Sequence, residues 1–400
     1  MRQKKWQELS QIFGPFEFKA LVQIVCLFFI DSLFQLRIIR SKSQTSNANW
    51  LIGVSEVSTF LSGLGEAVEN SIVLELEAHP FYSSQSSHFS NKYFRRIHAI
   101  YQLAKYANSG LGFILIGGQG FLTNKSRDRN FEYWYIAKYR NRDLVCFLLG
   151  SEIRSILKTS EFAKKRCEQN VGTIFLLFRS SVEIEQMESR AKNLARSIDL
   201  YADLVFNFEV DQMSYLQIKQ QPIPYLIKRD IFRWDDAKFL DKSKIQILHA
   251  PSRPFIKGTE HVRIAISRLK REGFDFDYSE LTGVSHEKVL ASMRSAHVFL
   301  NEFYAYSPGV ASIEAMANGC VVLTRADPDI EVGLGKHAEG AWVICEADEI
   351  YLKLRDILNS NREDLRIQAF KGFSWALNQC STTSNREHLN FLLNNLSKIQ

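Results

Sequence analysis

From position 49 onward the chain alternates between two hydrophobic rhythms. Nearly continuous apolar runs at 49–54, 72–76, 112–116, 143–149 and 202–206 predict buried strands. At 55–69, 91–107 and 189–201 the apolar residues instead recur at helical spacing. The alternation restarts later, with strands at 245–249, 274–281, 297–300, 321–323 and 341–345. Helices are expected at 260–271, 285–296, 347–359, 362–372 and 383–398. Strand–helix repetition builds parallel sheets, because each crossover returns the chain in the same direction. Gln220-Gln221-Pro222-Ile223-Pro224 separates the two series, and its prolines stiffen a crossing. The pattern therefore predicts two doubly wound, Rossmann-like parallel-sheet α/β domains.

Length agrees, since 400 residues exceed a comfortable single core. The expected boundaries are 1–45, an N-terminal segment; 46–220, a first domain; 221–380, a second; and 381–400, a terminal helix. Apolar content of 46% with 24% charged residues describes a globular chain. A net charge of +6 spread along the sequence forms no compact basic stripe with interleaved aromatics, which argues against nucleic acid as a partner. It suits anionic substrates or an anionic membrane surface. The six cysteines form no CxxC pair, so reduced, mostly buried thiols are expected and no metal site.

Residues 1–15 are basic and polar, and 16–39 are rich in large apolar side chains. No small-residue cleavage site follows, and the uninterrupted apolar part is shorter than the roughly 20 residues a bilayer span takes. Two readings stay open: a helix lying in the cytoplasmic leaflet of a membrane, or one packed on the first domain. Location is accordingly expected to be cytoplasmic, with peripheral contact to the inner face of the cell membrane under the first reading.

The densest chemistry lies in 301–324, NEFYAYSPGVASIEAMANGCVVLT. A strand end, the turn Tyr306-Ser307-Pro308-Gly309, a helix carrying Glu314 and the closing Asn318-Gly319 precede a β-branched run. Such a turn presents backbone N–H groups and a helix dipole to an anion. Glu314, about a turn and a half into that helix, is placed to accept hydrogen bonds from vicinal hydroxyls. Lys257, in Lys257-Gly258-Thr259 after the strand at 245–249, adds a cation beside another helix start. Alone, each of these residues is as well explained by an ordinary turn or a solvated side chain.

Together, Gly309, Glu314, Ala315, Met316, Ala317 and Gly319, followed by Val321 and Val322, resemble the donor-binding signature of the retaining "group 1" glycosyltransferases of the GT-B fold. Tyr306 stands where that family has its first acid, and Cys320 follows the glycine. The resemblance implies two such domains facing across a cleft and metal-independent transfer of a hexosyl group from a nucleotide sugar. The donor is the co-substrate and no cofactor is implied. It implies that Lys257 and Arg253 hold the diphosphate, with Arg253 one place nearer the lysine than usual. It gives Glu314 the ribose, and Tyr306, Ser307, Gly309, Val310 and Ala311 the rest of the donor.

Gly150-Ser151-Glu152-Ile153-Arg154 is similar to a G-S-D-I-R segment common at this place in the family, which makes Gly150, Ser151, Glu152 and Arg154 acceptor-side candidates. The same five residues also read as a helix start capped by Ser151. Gly117-Gly118-Gln119-Gly120 lacks dinucleotide spacing and reads as a loop lining an acceptor cleft. His79 is a second loop candidate. A glycan or lipid-linked acceptor and a role in cell-surface polysaccharide synthesis are family-level expectations. Other readings of the same layout are a catalytically inert nucleotide-sugar-binding module, a nucleotide-sugar epimerase, and a membrane-recruited scaffold.

Overall fold

The computed structural model describes residues 18–39, 47–77, 79, 81–82, 91–123, 128–240, 244–335 and 338–399. The basic start of the chain lies outside the described residues. Among them, strands form two wholly parallel sheets. The first contains β1 (Trp50–Ser55), β2 (Ser71–Glu77), β3 (Gly112–Ile116), β4 (Leu144–Phe147), β5 (Leu204–Phe206) and β6 (Gln220–Gln221), in the order β2-β1-β3-β4-β5-β6. The second contains β7 (Ile245–His249), β8 (Phe276–Glu280), β9 (Val298–Leu300), β10 (Val321–Thr324) and β11 (Val343–Ile344), in the order β11-β10-β9-β7-β8. All of β3, β4, β9 and β10 is buried, which explains their unbroken apolar runs.

Several boundaries differ from the periodic pattern, each for a local reason. The helix expected from 55 begins at Phe60. Ser58 and Thr59 adopt left-handed backbone, φ 51° and 62°, and the Glu56 carboxylate accepts the N–H groups of Val57, Leu61 and Ser62. The strand expected through 149 stops at Phe147, because Leu149 and Gly150 donate to Glu152 instead of to a neighbouring strand. Ser151 caps no helix; Ser155 does, accepting from Lys158 N at 3.1 Å.

Two helices that the pattern did not predict, Ile156–Lys165 and Val171–Phe178, join the domains. Their Ile156, Ile174 and Phe175 share one apolar cluster with Ile247, Val298 and Leu323 of the second sheet. Burying each such side chain contributes about 1.5–3 kcal/mol. A second cluster runs from Phe206 and Phe208 through Ile223 and Tyr225 to Leu248, Phe299 and Ile313. The helix Thr382–Asn394 lies on the helix Phe60–Ala67: Arg386 donates to Glu66 O and Asn390 to Ala67 O, both at 2.9 Å.

The helix Phe18–Gln35 is packed on the first domain. Its Ile24, Leu27 and Phe34 are buried. Asp31, 1% exposed, accepts from Tyr135 Oη at 2.5 Å and Asn108 Nδ2 at 2.8 Å and pairs with Arg140. The opposite face leaves Leu21, Val22, Val25 and Phe29 exposed. No described helix is long and apolar enough to cross a membrane.

Candidate functional site

The strand–turn–helix–strand unit read in 297–323 is present as β9, the helix Gly309–Ala317 and β10, with Gly319 closing the helix at φ +67°. Asn301, buried at the end of β9, holds the intervening loop by donating to Pro308 O at 3.3 Å and Ser312 Oγ at 2.9 Å. Gly309 opens the helix with φ +70°, and its N–H donates to Tyr225 Oη at 3.2 Å. Val310 and Ala311 are half-buried in the first turn. By helix geometry the first N–H groups have no intrahelical acceptor, so this end carries partial positive charge.

Lys257 belongs to the same place. Its ammonium pairs with Glu302, and Glu302 Oε1 lies 3.1 Å from where a Cβ on Gly309 would stand. The cation, the carboxylate and the helix opening therefore meet. Gly258 fixes the lysine turn with φ +70°, and a Cβ there would approach Phe303 Cβ to 3.1 Å. Arg253 supplies its carbonyl to Ile256 N and Lys257 N, both at 3.1 Å, while its side chain is exposed and makes no ion pair among the described residues.

His249 locks the turn from beneath. Fully buried, it contacts Leu300 O at 2.8 Å and Thr259 Oγ1 at 2.9 Å. Burial lowers its pKa from 6.5 to about 4. The folded state thus takes up a proton less readily than the unfolded chain, so this contribution is complete above pH 6.5 and is lost between pH 6.5 and about 4. The loss is expected to reach roughly 3 kcal/mol. Urea unfolding at pH 7 and pH 5 checks it: His249→Asn should flatten the decline, and an unchanged decline would remove His249 from its cause.

Glu314 is 3% exposed and faces the first domain. Its Oε1 contacts His286 Nε2 at 2.8 Å, and His286 N donates to Phe81 O at 3.1 Å. The Tyr82 ring stands 4.8 Å from that of His286. Burial, then the neighbouring Glu314 charge, push the Tyr82 phenol up to about 12.

The Tyr306 side chain points another way. Its phenol donates to Glu168 Oε2 at 3.0 Å, beneath Arg325, whose guanidinium also holds Glu168 at 2.9 Å. Burial, then the Glu168 charge, raise its pKa. Tyr306 and Ser307 are fastened to the first domain by Asp211, which accepts from Tyr306 N at 3.0 Å and Ser307 Oγ at 2.8 Å. Asp211 also accepts from Arg154, through its carbonyl at 2.6 Å and its carboxylate at 3.3 Å. Glu331, fully buried, holds the same loop by accepting from Glu209 N, Val210 N and Asp211 N.

Of the acceptor-side candidates, Glu152 and Arg154 are buried, and Gly150 and Ser151 are half-buried. Glu152 Oε1 lies 4.0 Å from where a Cβ on Gly117 would stand. Gly117–Gly120 and His79 line a cavity of about 640 Å³ at the carboxyl ends of β1, β2 and β3. Arg154, by contrast, is joined to Tyr306 and Ser307.

No family model matches the chain, and no curated protein matches it. Solved structures do. The Anabaena protein HepE, crystallised with UDP and glucose, superposes with a TM-score of 0.54 at 10% identity over 86% of this chain and 99% of its own. Sucrose-phosphate synthase of Thermosynechococcus elongatus gives 0.54 at 11% identity, over 88% and 100%. WaaG, a glycosyltransferase involved in lipopolysaccharide biosynthesis, gives 0.52 at 12% identity, over 87% and 100%. The fold is GT-B. Lys257, Gly309 and Glu314 all belong to the second domain.

Sequence reasoning missed Glu302, His286, Tyr82 and Asp211. Glu302 was legible as a charge at a strand end. His286 reaches Glu314 across 28 positions and Asp211 reaches Tyr306 across 95, and no local spacing announces such contacts.

Proposed function

We propose that this protein is a glycosyltransferase of the retaining type, moving a hexosyl group from a nucleotide sugar to a glycan or lipid-linked acceptor in cell-surface polysaccharide assembly. The observation that carries the reading is the convergence of Lys257 with the opening turn at Gly309, with Glu314 facing the first domain. The fold supports it, as does the resemblance of 309–322 to the donor-binding signature. In this reading Lys257, Arg253 and the helix opening at Gly309, with the N–H groups of Val310 and Ala311, neutralise the departing diphosphate without a metal. Preorganised charge of this kind is usually the largest catalytic contribution. Glu314, oriented by His286, accepts from the ribose hydroxyls. Ser307, held by Asp211, shapes the turn below the sugar.

Calorimetric titration against UDP-, GDP- and dTDP-sugars tests the reading. One nucleotide series should bind and turn over on an acceptor; no binding across the panel would overturn it. A second reading, an inert nucleotide-sugar-binding module, is favoured by Tyr306. Its phenol carries no charge at neutral pH and is already committed to Glu168. Binding without donor hydrolysis or transfer would select that module.

Peripheral contact with the inner face of a cell membrane, from the cytoplasm, is part of this proposal, and the exposed apolar side chains on the outer face of the helix Phe18–Gln35 support a membrane contact. Val25 and Phe29 are 60% and 65% exposed. Replacing both by serine is expected to lower co-sedimentation with anionic vesicles by about tenfold or more. Equal sedimentation of wild type and variant would remove this contact.

A further inference from the structure

The cavity of the first domain has a charge that the donor reading does not use. It opens at the carboxyl ends of β1, β2 and β3, where the strand order turns from β2-β1 to β3-β4. That reversal is the place where open α/β sheets take ligands. A volume of about 640 Å³ falls in the range of small-molecule sites.

Each acid on its wall is occupied. Glu56 accepts three backbone N–H groups, and Glu77 pairs with Arg95 at 3.2 Å. Arg129 is occupied as well, held by Glu132 and by the carbonyls of Gly118 and Leu122. Arg96 and Lys92, in the first turns of the helix Lys92–Asn108, line the same cavity and form no ion pair among the described residues. Arg95 Nε is buried there without a hydrogen-bond partner among those residues. With Arg95 paired to Glu77 and Arg129 to Glu132, Lys92 and Arg96 outweigh the remaining charge of Glu56, so the described lining is net cationic.

Another part of the wall is the glycine-rich loop Gly117-Gly118-Gln119-Gly120. A Cβ on Gly118 would meet Leu194 Cδ2 at 2.5 Å, and one on Gly120 the Glu132 carboxylate at 2.4 Å. Glycine at both positions keeps the loop tight against the protein and its peptide groups next to the cavity. The cavity also connects to the donor side. From His79 on its rim, ring contacts of 4.7 Å to Tyr82 and 4.8 Å from Tyr82 to His286 lead to Glu314.

We propose that this cavity binds an acceptor sugar bearing an anionic group, a phosphate or a carboxylate, held by Arg96 and Lys92 with Arg95 behind them. The acceptor role rests on the glycosyl-transfer reading; the anion site rests on the cavity. Ligand-observed NMR on the full chain tests it with glucose 6-phosphate, glucuronate and glucose as probes. Both anions, or one of them, should bind at concentrations where glucose does not, and the stronger names the charged group. Lys92→Gln with Arg96→Gln should weaken that binding at least tenfold while leaving the thermal unfolding midpoint unchanged, since Lys92 is exposed and Arg96 half-exposed. Lys257→Gln should leave it intact. Glucose binding as well as the anions, no effect of the Lys92/Arg96 pair, or loss only with Lys257→Gln would each overturn the proposal. A parallel UDP titration reads the donor side separately, so its failure would count against the transferase reading without altering these outcomes.

Discussion

Lys257→Ala is expected to weaken nucleotide-sugar binding by between about tenfold and a hundredfold, the equivalent of a lost charged hydrogen bond of about 1.5–3 kcal/mol. The expected loss lies toward the upper end because the lysine does two things at once. It supplies a cation beside a helix N-terminus, and it neutralises Glu302, which stands against the same opening turn at Gly309. Removing the ammonium leaves an uncompensated carboxylate where the diphosphate would be received. Turnover should fall further than binding, by about a hundredfold or more, because charge on the leaving diphosphate grows toward the transition state. Calorimetry with the nucleotide sugar selected by the panel gives the first quantity and initial rates give the second. An unchanged dissociation constant would take Lys257 out of the donor site.

The parts of this architecture that were legible in the sequence are those set by local chemistry. β3, β4, β9 and β10 are buried throughout, so apolar continuity alone marks them. Gly319 announces a helix end because positive φ there is costly for other residues. The unpredicted helix Val171–Phe178 is apolar nearly all round, VGTIFLLF, and so has no amphipathic signature. What identifies its start is a capping box, Asn170 with Thr173, which hydrophobic periodicity does not register. The site divides in the same way. Lys257, Gly309 and Glu314 stand in short motifs and could be read in place. Asp211 and Glu331 act across the domain boundary, and His286 reaches Glu314 from another helix of the second domain, where only folding supplies the neighbour. Tyr306 is the instructive case. Its position suggested a role toward the sugar, yet its ring lies under Arg325 and its hydroxyl is bonded to Glu168 of the segment joining the two helices Ile156–Lys165 and Val171–Phe178.

Glu302→Gln is expected to act in the opposite direction to Lys257→Ala and to tighten nucleotide-sugar binding by about tenfold or more. The Glu302 carboxylate is the charged group nearest the helix opening and is 15% exposed, as is Lys257 at 14%, so solvent screens the pair only partly. Two unit charges about 4 Å apart at a partly buried site interact by up to about 4 kcal/mol, so an incoming diphosphate must displace this carboxylate or be repelled by it. Glutamine keeps the shape and one hydrogen bond to Lys257 while removing the charge. Comparing the dissociation constants of the two proteins at one pH checks this. Weaker binding by Glu302→Gln would mean that the carboxylate's main contribution is to hold Lys257 in the pose the donor needs. In that event Glu302→Asp, which keeps the charge on a shorter side chain, should weaken binding as well, since it withdraws the carboxylate from both the lysine and the Gly309 turn.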